Sequence, residues 1–176
     1  LQGRGFRPDD RSTLGFVGGT SQKTAGDGLF PILDPEGLIV TVRRRLAQPV
    51  KGAKYLPAPG FTGNESPAWC SPCITCGPLF IVEGELNAMA CWLALDGQAA
   101  FMGVSGTSGS LWYEPIHGRT VFVLADAGQP GESAARRWAR TAHHAGARTV
   151  HVLPAWQDGD ACHIAGVHGP VELRER

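Results

Sequence analysis

The chain has 176 residues, of which 43% are hydrophobic and 18% are charged, with 16 basic and 16 acidic side chains. This balance is typical of a globular protein, and it excludes a disordered tail or a coiled coil. No apolar run approaches the roughly 20 residues that a membrane span needs, so we expect no membrane partner.

The first third of the chain predicts a small β-rich unit. Two short apolar runs, 29–33 and 38–42, flank the sequence D-P-E-G at 34–37, which has proline and glycine where a tight turn needs them. We therefore predict a β-hairpin. Segments 15–28 and 57–76 are rich in turn residues, and we expect loops there.

A cluster of basic residues follows the hairpin. Between residues 43 and 54 the chain has five Lys or Arg side chains and no acidic one, whereas residues 69–176 contain seven basic and ten acidic residues. We expect this layout in a protein that handles a polyanion, and a solvated hairpin without a partner is the alternative. The candidate residues for binding nucleic acid or nucleotide are Arg43, Arg44, Arg45, Lys51 and Lys54.

From residue 78 onwards, apolar segments alternate with amphipathic ones. The pattern predicts helices at 85–95 and 131–145, and strands at 79–82, 99–102, 120–124 and 150–153. This order predicts an α/β fold with a parallel four-stranded core, flanked by helices and preceded by the small β-rich subdomain.

Acidic residues follow the carboxyl ends of three of these strands. Glu83 ends the first strand, Asp126 follows the third, and Asp158 and Asp160 follow the fourth. The carboxyl ends of parallel strands meet at one edge of the sheet. Two carboxylates about 4 Å apart repel each other by roughly 4 kcal/mol at an effective dielectric near 20, and a cation relieves that repulsion. Oxygen ligands suit Mg²⁺ or Mn²⁺, whereas capping of the following helix is the alternative role for each acid.

Several segments resemble a known family. F-I-V-E-G-E-L-N-A at 80–88 resembles the E-G-x-x-D-A opening of the Toprim (Rossmann-like) domain, and V-F-V-L-A-D-A-G-Q-P-G at 121–131 resembles its later D-x-D-x-x-G segment. Upstream, F-P-I at 30–32, D-P-E-G at 34–37 and K-Y-L at 54–56 resemble, in the same order, the stretch before the Toprim domain in DnaG-type primases. The resemblance runs from about residue 28 to residue 153, which is most of the chain.

The resemblance implies a DNA primase, a metal-dependent nucleotidyltransferase that makes RNA primers for DNA replication. Its partners would be single-stranded DNA, nucleoside triphosphates and a replicative helicase, and its cofactor Mg²⁺ or Mn²⁺. Glu83 matches the family's general acid/base glutamate, and Asp126 matches a catalytic, metal-binding aspartate. Asp160, or alternatively Asp158, matches the acidic residue after the last core strand. Lys54 matches the basic residue of K-Y-L, which we expect to contact phosphates.

The resemblance also defines the predicted domains. These are an N-terminal β-hairpin, basic subdomain and connector at 1–76, a Toprim core at 77–160 and a C-terminal tail at 161–176. The chain opens without a methionine or a signal-peptide pattern, which indicates a fragment of a longer protein.

Two positions depart from the family pattern. Gly128 replaces the second aspartate of D-x-D, and Asn87 replaces the aspartate of E-G-x-x-D-A. The loss of two carboxylates predicts weaker cation binding and puts a two-metal mechanism in doubt. The alternatives are therefore a degenerate Toprim module that binds nucleic acid without chemistry, and a Toprim nuclease. The upstream motifs favour the primase.

Three of the five cysteines lie in W-C-S-P-C-I-T-C-G at 69–77. Thiolates at this spacing bind Zn²⁺, which makes Cys70, Cys73 and Cys76 candidate zinc ligands that still need a fourth ligand from elsewhere. Semi-buried thiols in a connector are the alternative. An odd, clustered set of cysteines is not a secreted disulfide framework, so we expect a cytoplasmic protein.

Overall fold

The computed structural model describes residues 6, 8–18, 26–61, 67–75, 77–156 and 159–168. Four α-helices and nine strands lie in these ranges, with a short 3-10 helix at Glu114–Ile116 before the eighth strand. The helices are α1 (Pro8–Thr13), α2 (Glu85–Ala94), α3 (Gln129–His144) and α4 (Ala161–His168). The strands are β1 (Val17–Gly18), β2 (Gly28–Leu33), β3 (Ile39–Val50), β4 (Ala53–Pro57), β5 (Trp69–Cys70), β6 (Leu79–Glu83), β7 (Ala100–Val104), β8 (Thr120–Leu124) and β9 (Thr149–Val152).

The first sheet is antiparallel, with the strand order β1-β2-β3-β4. The predicted hairpin is confirmed, because β2 and β3 pair from Gly28 opposite Arg45 to Leu33 opposite Ile39. Its turn is closed by Asp34, whose Oδ1 accepts hydrogen bonds from the backbone N–H groups of Glu36 and Leu38. Since β3 continues to Val50, the predicted basic segment is largely a strand of this sheet.

The second sheet has the order β5-β7-β6-β8-β9, and its last four members are parallel to one another. The predicted parallel four-stranded core is therefore confirmed. The fifth strand, β5, lies in the segment predicted as a loop and pairs antiparallel with β7. Trp69 and Cys70 belong in this edge strand because their side chains are buried in the core.

Hydrophobic side chains fill both faces of the second sheet. On one face, α2 and α4 pack with Phe16 and Phe30 of the N-terminal region in a single cluster. On the other face, Trp138 of α3 packs against strand residues that include Ile81 and Val123. The antiparallel sheet therefore shares a core with one face of the parallel sheet.

Helix α4 lies in the segment predicted as a C-terminal tail. Its side chains of Cys162 and Ile164 are buried against the same cluster as α2. The domain boundaries proposed from the sequence stay a prediction. Of the helices in the described ranges, not one combines the length and the apolar character needed to cross a membrane.

Candidate active site at the carboxyl edge of the parallel sheet

Glu83 and Asp126 lie next to each other at the carboxyl edge of the second sheet. Glu83 is the last residue of β6, and Asp126 follows β8, which is the parallel neighbour of β6. The Oε2 atom of Glu83 accepts a hydrogen bond of 3.2 Å from the backbone N–H of Asp126. The strand pairing thus brings together two acids that are separated by 43 residues in the chain.

The electrostatic environment of Asp126 shows that a third acid lies nearby. Although the side chain lies at the surface, neighbouring protein atoms remove part of its hydration, and the negative charges of Glu83 and Asp160 add to that effect. Together they raise the pKa of Asp126 to about 6. Neutralisation of this local negative charge by a cation would favour the ionised form of Asp126. Asp158, the alternative to Asp160, lies outside the described residues.

The donor chemistry of this edge suits Mg²⁺ or Mn²⁺, but the ligand set is small. Carboxylate oxygens are the ligands that these cations prefer. Within the described ranges, no three or more His, Cys, Asp or Glu side chains lie close enough together to form a metal-binding group. Gly128, which stands where the resemblance expects a second aspartate, precedes α3 with a φ of 100°. The structure therefore shows a carboxylate pair with Asp160 close enough to influence it.

Two concave surfaces border Asp126. One is a narrow pocket that Asp126 and Asp160 share with Asn87 and Trp156. The other is an open cavity of about 340 Å³ between the ends of β8 and β9 and the first turns of α3. Its lining includes Gly128 and Arg136. The Asp126 side chain is thus accessible from solvent.

Arg43, a predicted nucleic-acid contact, faces the second sheet and forms an ion pair there. Its Nη1 atom lies 2.8 Å from Oε1 of Glu85, and these side chains are 12% and 3% exposed. The same guanidinium donates a hydrogen bond to the hydroxyl of Ser105 in the loop after β7. Burial raises the pKa of Glu85, while the charge of Arg43 and hydrogen bonds oppose that shift. Arg43 therefore links the antiparallel sheet to two segments that follow β6 and β7.

The other predicted basic contacts divide into two groups. Arg44 pairs with Asp27 at 3.3 Å, and the guanidinium of Arg45 lies 4.7 Å from the centroid of the Tyr55 ring. These arginines are partly buried against their partners. Lys51 and Lys54 are exposed, one in the turn between β3 and β4 and the other within β4. The two lysines are therefore more accessible to a phosphate than the arginines.

The cysteines proposed as zinc ligands differ in their surroundings. Cys70 is a buried free thiol, and its burial raises the pKa of that thiol. Cys73 is exposed and takes part in a disulfide. Cys76 lies outside the described residues. The zinc site stays a prediction from the sequence.

Sequence reasoning missed the roles of Glu85 and Ser105. Neither residue stands in a motif position that indicates a contact with Arg43. Arg43 and Ser105 are separated by 62 residues, so only the packing of the two sheets brings them together. The excess of basic residues between 43 and 54 was the available signal, and it carried no information about which of them faces the core.

Comparison with solved structures identifies the fold. The Aquifex aeolicus primase, comprising zinc-binding and RNA polymerase domains, matches with a TM-score of 0.71 and 16% identity over 98% of this chain and 52% of that one. The primase fragment of the bacteriophage T7 primase-helicase matches with a TM-score of 0.67 and 16% identity, over 99% of this chain and 71% of the other. A DnaG primase catalytic domain bound to single-stranded DNA matches with a TM-score of 0.56 and 18% identity, over 97% and 62%.

Sequence comparison finds no such match. No protein-family model matches the chain, and no curated protein is significantly similar to it. The chain spans about half of the Aquifex structure and somewhat more of the other two. The likeness nevertheless covers nearly all of this chain and includes both of its sheets. The chain has the fold of the catalytic core of DnaG-type primases.

Proposed function

We propose that this chain is a metal-dependent, primase-like nucleotidyltransferase that synthesises RNA on single-stranded DNA. The observation that carries the proposal is the pairing of Glu83 with Asp126 at the open edge of a sheet with the fold of a primase core. One structure with this fold has single-stranded DNA bound. The acids also give this edge a negative charge, which would repel a nucleoside triphosphate unless a cation lay between them.

In this proposal the acids have separate roles. Asp126, with Asp160 or Asp158, would hold Mg²⁺ or Mn²⁺, which would supply positive charge against the triphosphate. Glu83 would act as the general base for the attacking hydroxyl. Its Oε2 atom is already held by the backbone N–H of Asp126, which fixes the carboxylate beside the proposed metal ligand. A base must lie within hydrogen-bond reach of the proton it accepts, and this arrangement keeps the carboxylate at the edge.

The exposed lysines would bind the template. Lys51 and Lys54 are solvent-accessible, and Lys54 neighbours Tyr55 along β4. Because side chains alternate along a strand, Lys54 lies on the opposite face from Tyr55, which packs on the core. Contacts from these lysines to phosphates would be independent of base sequence and sensitive to salt. They would position the strand without contributing to the chemical step.

A second candidate is a module that binds nucleic acid without catalysis. The observation that favours it is the small ligand set, since Gly128 has no side chain and the described residues contain no cluster of three metal-binding groups. Both candidates predict salt-sensitive binding to single-stranded DNA. A requirement for metal in product formation distinguishes them.

The decisive experiment is incorporation of labelled ribonucleotides on single-stranded DNA with Mg²⁺ or Mn²⁺. The parent chain is compared with Glu83→Gln and with Glu36→Gln, whose acid lies exposed in the turn between β2 and β3. We expect metal-dependent product from the parent and Glu36→Gln, and none from Glu83→Gln. Product of equal yield from all three would refute the role of Glu83. Binding without product from any of them would favour the second candidate.

A further inference from the structure

The side chain of Asn87 bridges two segments that hold the candidate acids. Asn87 lies near the start of α2 and is 7% exposed. Its Nδ2 donates a hydrogen bond of 2.9 Å to the backbone carbonyl of Glu83. Its Oδ1 accepts a bond of 3.2 Å from the backbone N–H of Cys162 in α4. One amide thus links the end of β6 to the first turn of a helix 75 residues away in the chain.

This bridge ends at the same helical turn as Asp160. The first N–H groups of a helix have no partner within the helix and require one from outside. The Oδ1 atom of Asp160 accepts a hydrogen bond of 2.7 Å from the backbone N–H of His163, and Oδ1 of Asn87 accepts one from the backbone N–H of Cys162. The two side chains therefore cap one turn together. The position of Asp160 relative to Glu83 depends on that turn, because Asn87 is bonded to both segments.

The two partners of Asn87 require a side chain with one hydrogen-bond donor and one acceptor. The carbonyl of Glu83 can only accept a hydrogen bond, and the N–H of Cys162 can only donate one. An amide satisfies both, whereas an ionised carboxylate has no proton to donate and would face the carbonyl oxygen with its own negative charge. Asparagine at this position is thus the residue that fits the bridge, although the Toprim-like motif has aspartate there.

We propose that Asn87 is a positioning residue whose amide fixes the position of Asp160 relative to Glu83 at the carboxyl edge, and that an ionised carboxylate at this position cannot do so. The proposal rests on the proposed function for the use made of the two acids. The bridge itself can be tested without activity. The bridge predicts that Asn87→Asp, which restores the aspartate of the motif, weakens cation binding at the site. If position 87 were a lost metal ligand, the same change would strengthen cation binding.

The first test compares thermal unfolding of the parent, Asn87→Asp and Asn87→Leu between pH 5 and pH 8.5 without metal. Burial and the nearby acids raise the pKa of a carboxyl group introduced at position 87. When protonated, that group can donate to the carbonyl of Glu83 and still accept from Cys162, as the amide does. We expect Asn87→Asp to unfold near the parent midpoint at pH 5 and roughly 5 °C below it at pH 8.5.

The leucine variant provides the control for a role limited to filling space. Leucine has the same branching at Cγ but no hydrogen-bonding atoms, so the deficit of this variant relative to the parent should not depend on pH. All three proteins keep the same charged and titratable groups near position 87, so a difference in pH dependence between them comes from the side chain at that position. These groups are Glu83, Asp126, Asp160, His163 and the buried thiols of Cys91 and Cys162. Equal unfolding midpoints of parent and Asn87→Asp at pH 8.5 would overturn the proposal.

The second test measures Mn²⁺ binding at pH 8 by electron paramagnetic resonance. Loss of residues that orient metal ligands weakens binding by about 10-fold or more, and we expect that loss in both Asn87 variants. Tighter Mn²⁺ binding by Asn87→Asp would overturn the proposal, because the position would then be a lost ligand. Failure of the parent to bind Mn²⁺ would refute the metal role in the proposed function, while pH-dependent unfolding of Asn87→Asp would still support the bridge.

Discussion

Replacing Arg43 by alanine should destabilise the fold by several kcal/mol. The variant leaves Glu85 without its ion-pair partner at a position where its side chain is only 3% exposed. Removing one member of a buried ion pair costs about 3–5 kcal/mol. For a chain of this size, each kcal/mol lowers the unfolding midpoint by roughly 2–4 °C. We therefore expect a fall on the order of 6–20 °C at pH 8.

The loss should depend on pH in a defined direction. Burial already raises the pKa of Glu85 above its usual range, and removing Arg43 removes the largest opposing effect. A carboxyl group with a higher pKa in the folded state reduces stability as pH rises through that pKa. The ionised form is then the costly one, so Arg43→Ala should lose less stability at pH 5 than at pH 8.

Thermal unfolding at both pH values checks this prediction, with two comparison variants. Arg136→Ala removes an ion pair of 3.8 Å whose side chains are 73% and 63% exposed, and it should cost no more than about 0.5 kcal/mol. The double variant Arg43→Met/Glu85→Leu removes both charges and should recover most of the lost stability. A midpoint for Arg43→Ala within 1 °C of the parent, or an equal loss in the double variant, would refute the reasoning.

Three further predictions concern the site and its support. Lys54→Ala should lower the slope of log K for single-stranded DNA against log salt by about 1, measured by fluorescence anisotropy, and an unchanged slope would remove Lys54 from the interface. Because the pKa of Asp126 is raised to about 6 and metals bind the ionised form, Mn²⁺ affinity should rise between pH 5 and 7, and calorimetry that shows no rise would contradict this. Gly103→Ala places a Cβ 2.7 Å from the Cα of Glu85, so we expect a loss of about 1–3 kcal/mol in urea unfolding. The matched Gly18→Ala has nothing within 4 Å of its Cβ, and an equal loss there would show that the close approach at Gly103 is not the cause.

Much of the fold could be predicted from local sequence patterns. The turn at 34–37 combines residues with the required backbone preferences, and its hairpin is confirmed. The alternation of apolar runs with amphipathic segments predicted the four parallel strands, which are also confirmed. These features depend on residues close together in the chain, where the spacing of apolar residues indicates which side chains are buried.

Short elements carried no such signal. The two residues of β5 are too few to show an alternating pattern, and turn residues surround them. The eight residues of α4 include histidines at 163 and 168 and a glycine at 166, and they show no clear helical spacing of apolar residues. Helix α4 packs its apolar side chains into the core cluster, and β5 pairs its backbone with the edge of β7 while Trp69 enters the same cluster. Their formation is therefore a consequence of packing.

Some features of the candidate site could likewise be predicted from local sequence, and others depend on packing. The shared edge of Glu83 and Asp126 follows from sequence pattern alone, since a parallel sheet aligns the carboxyl ends of its strands. The ion pair of Arg43 with Glu85 and the bridge of Asn87 between Glu83 and Cys162 depend instead on how the sheets and helices pack. These contacts join residues that are distant in the chain, and each is favourable because a buried polar group must find a partner. Residue type alone indicates that a partner is needed, and the packing of the two sheets and α4 determines which one it is.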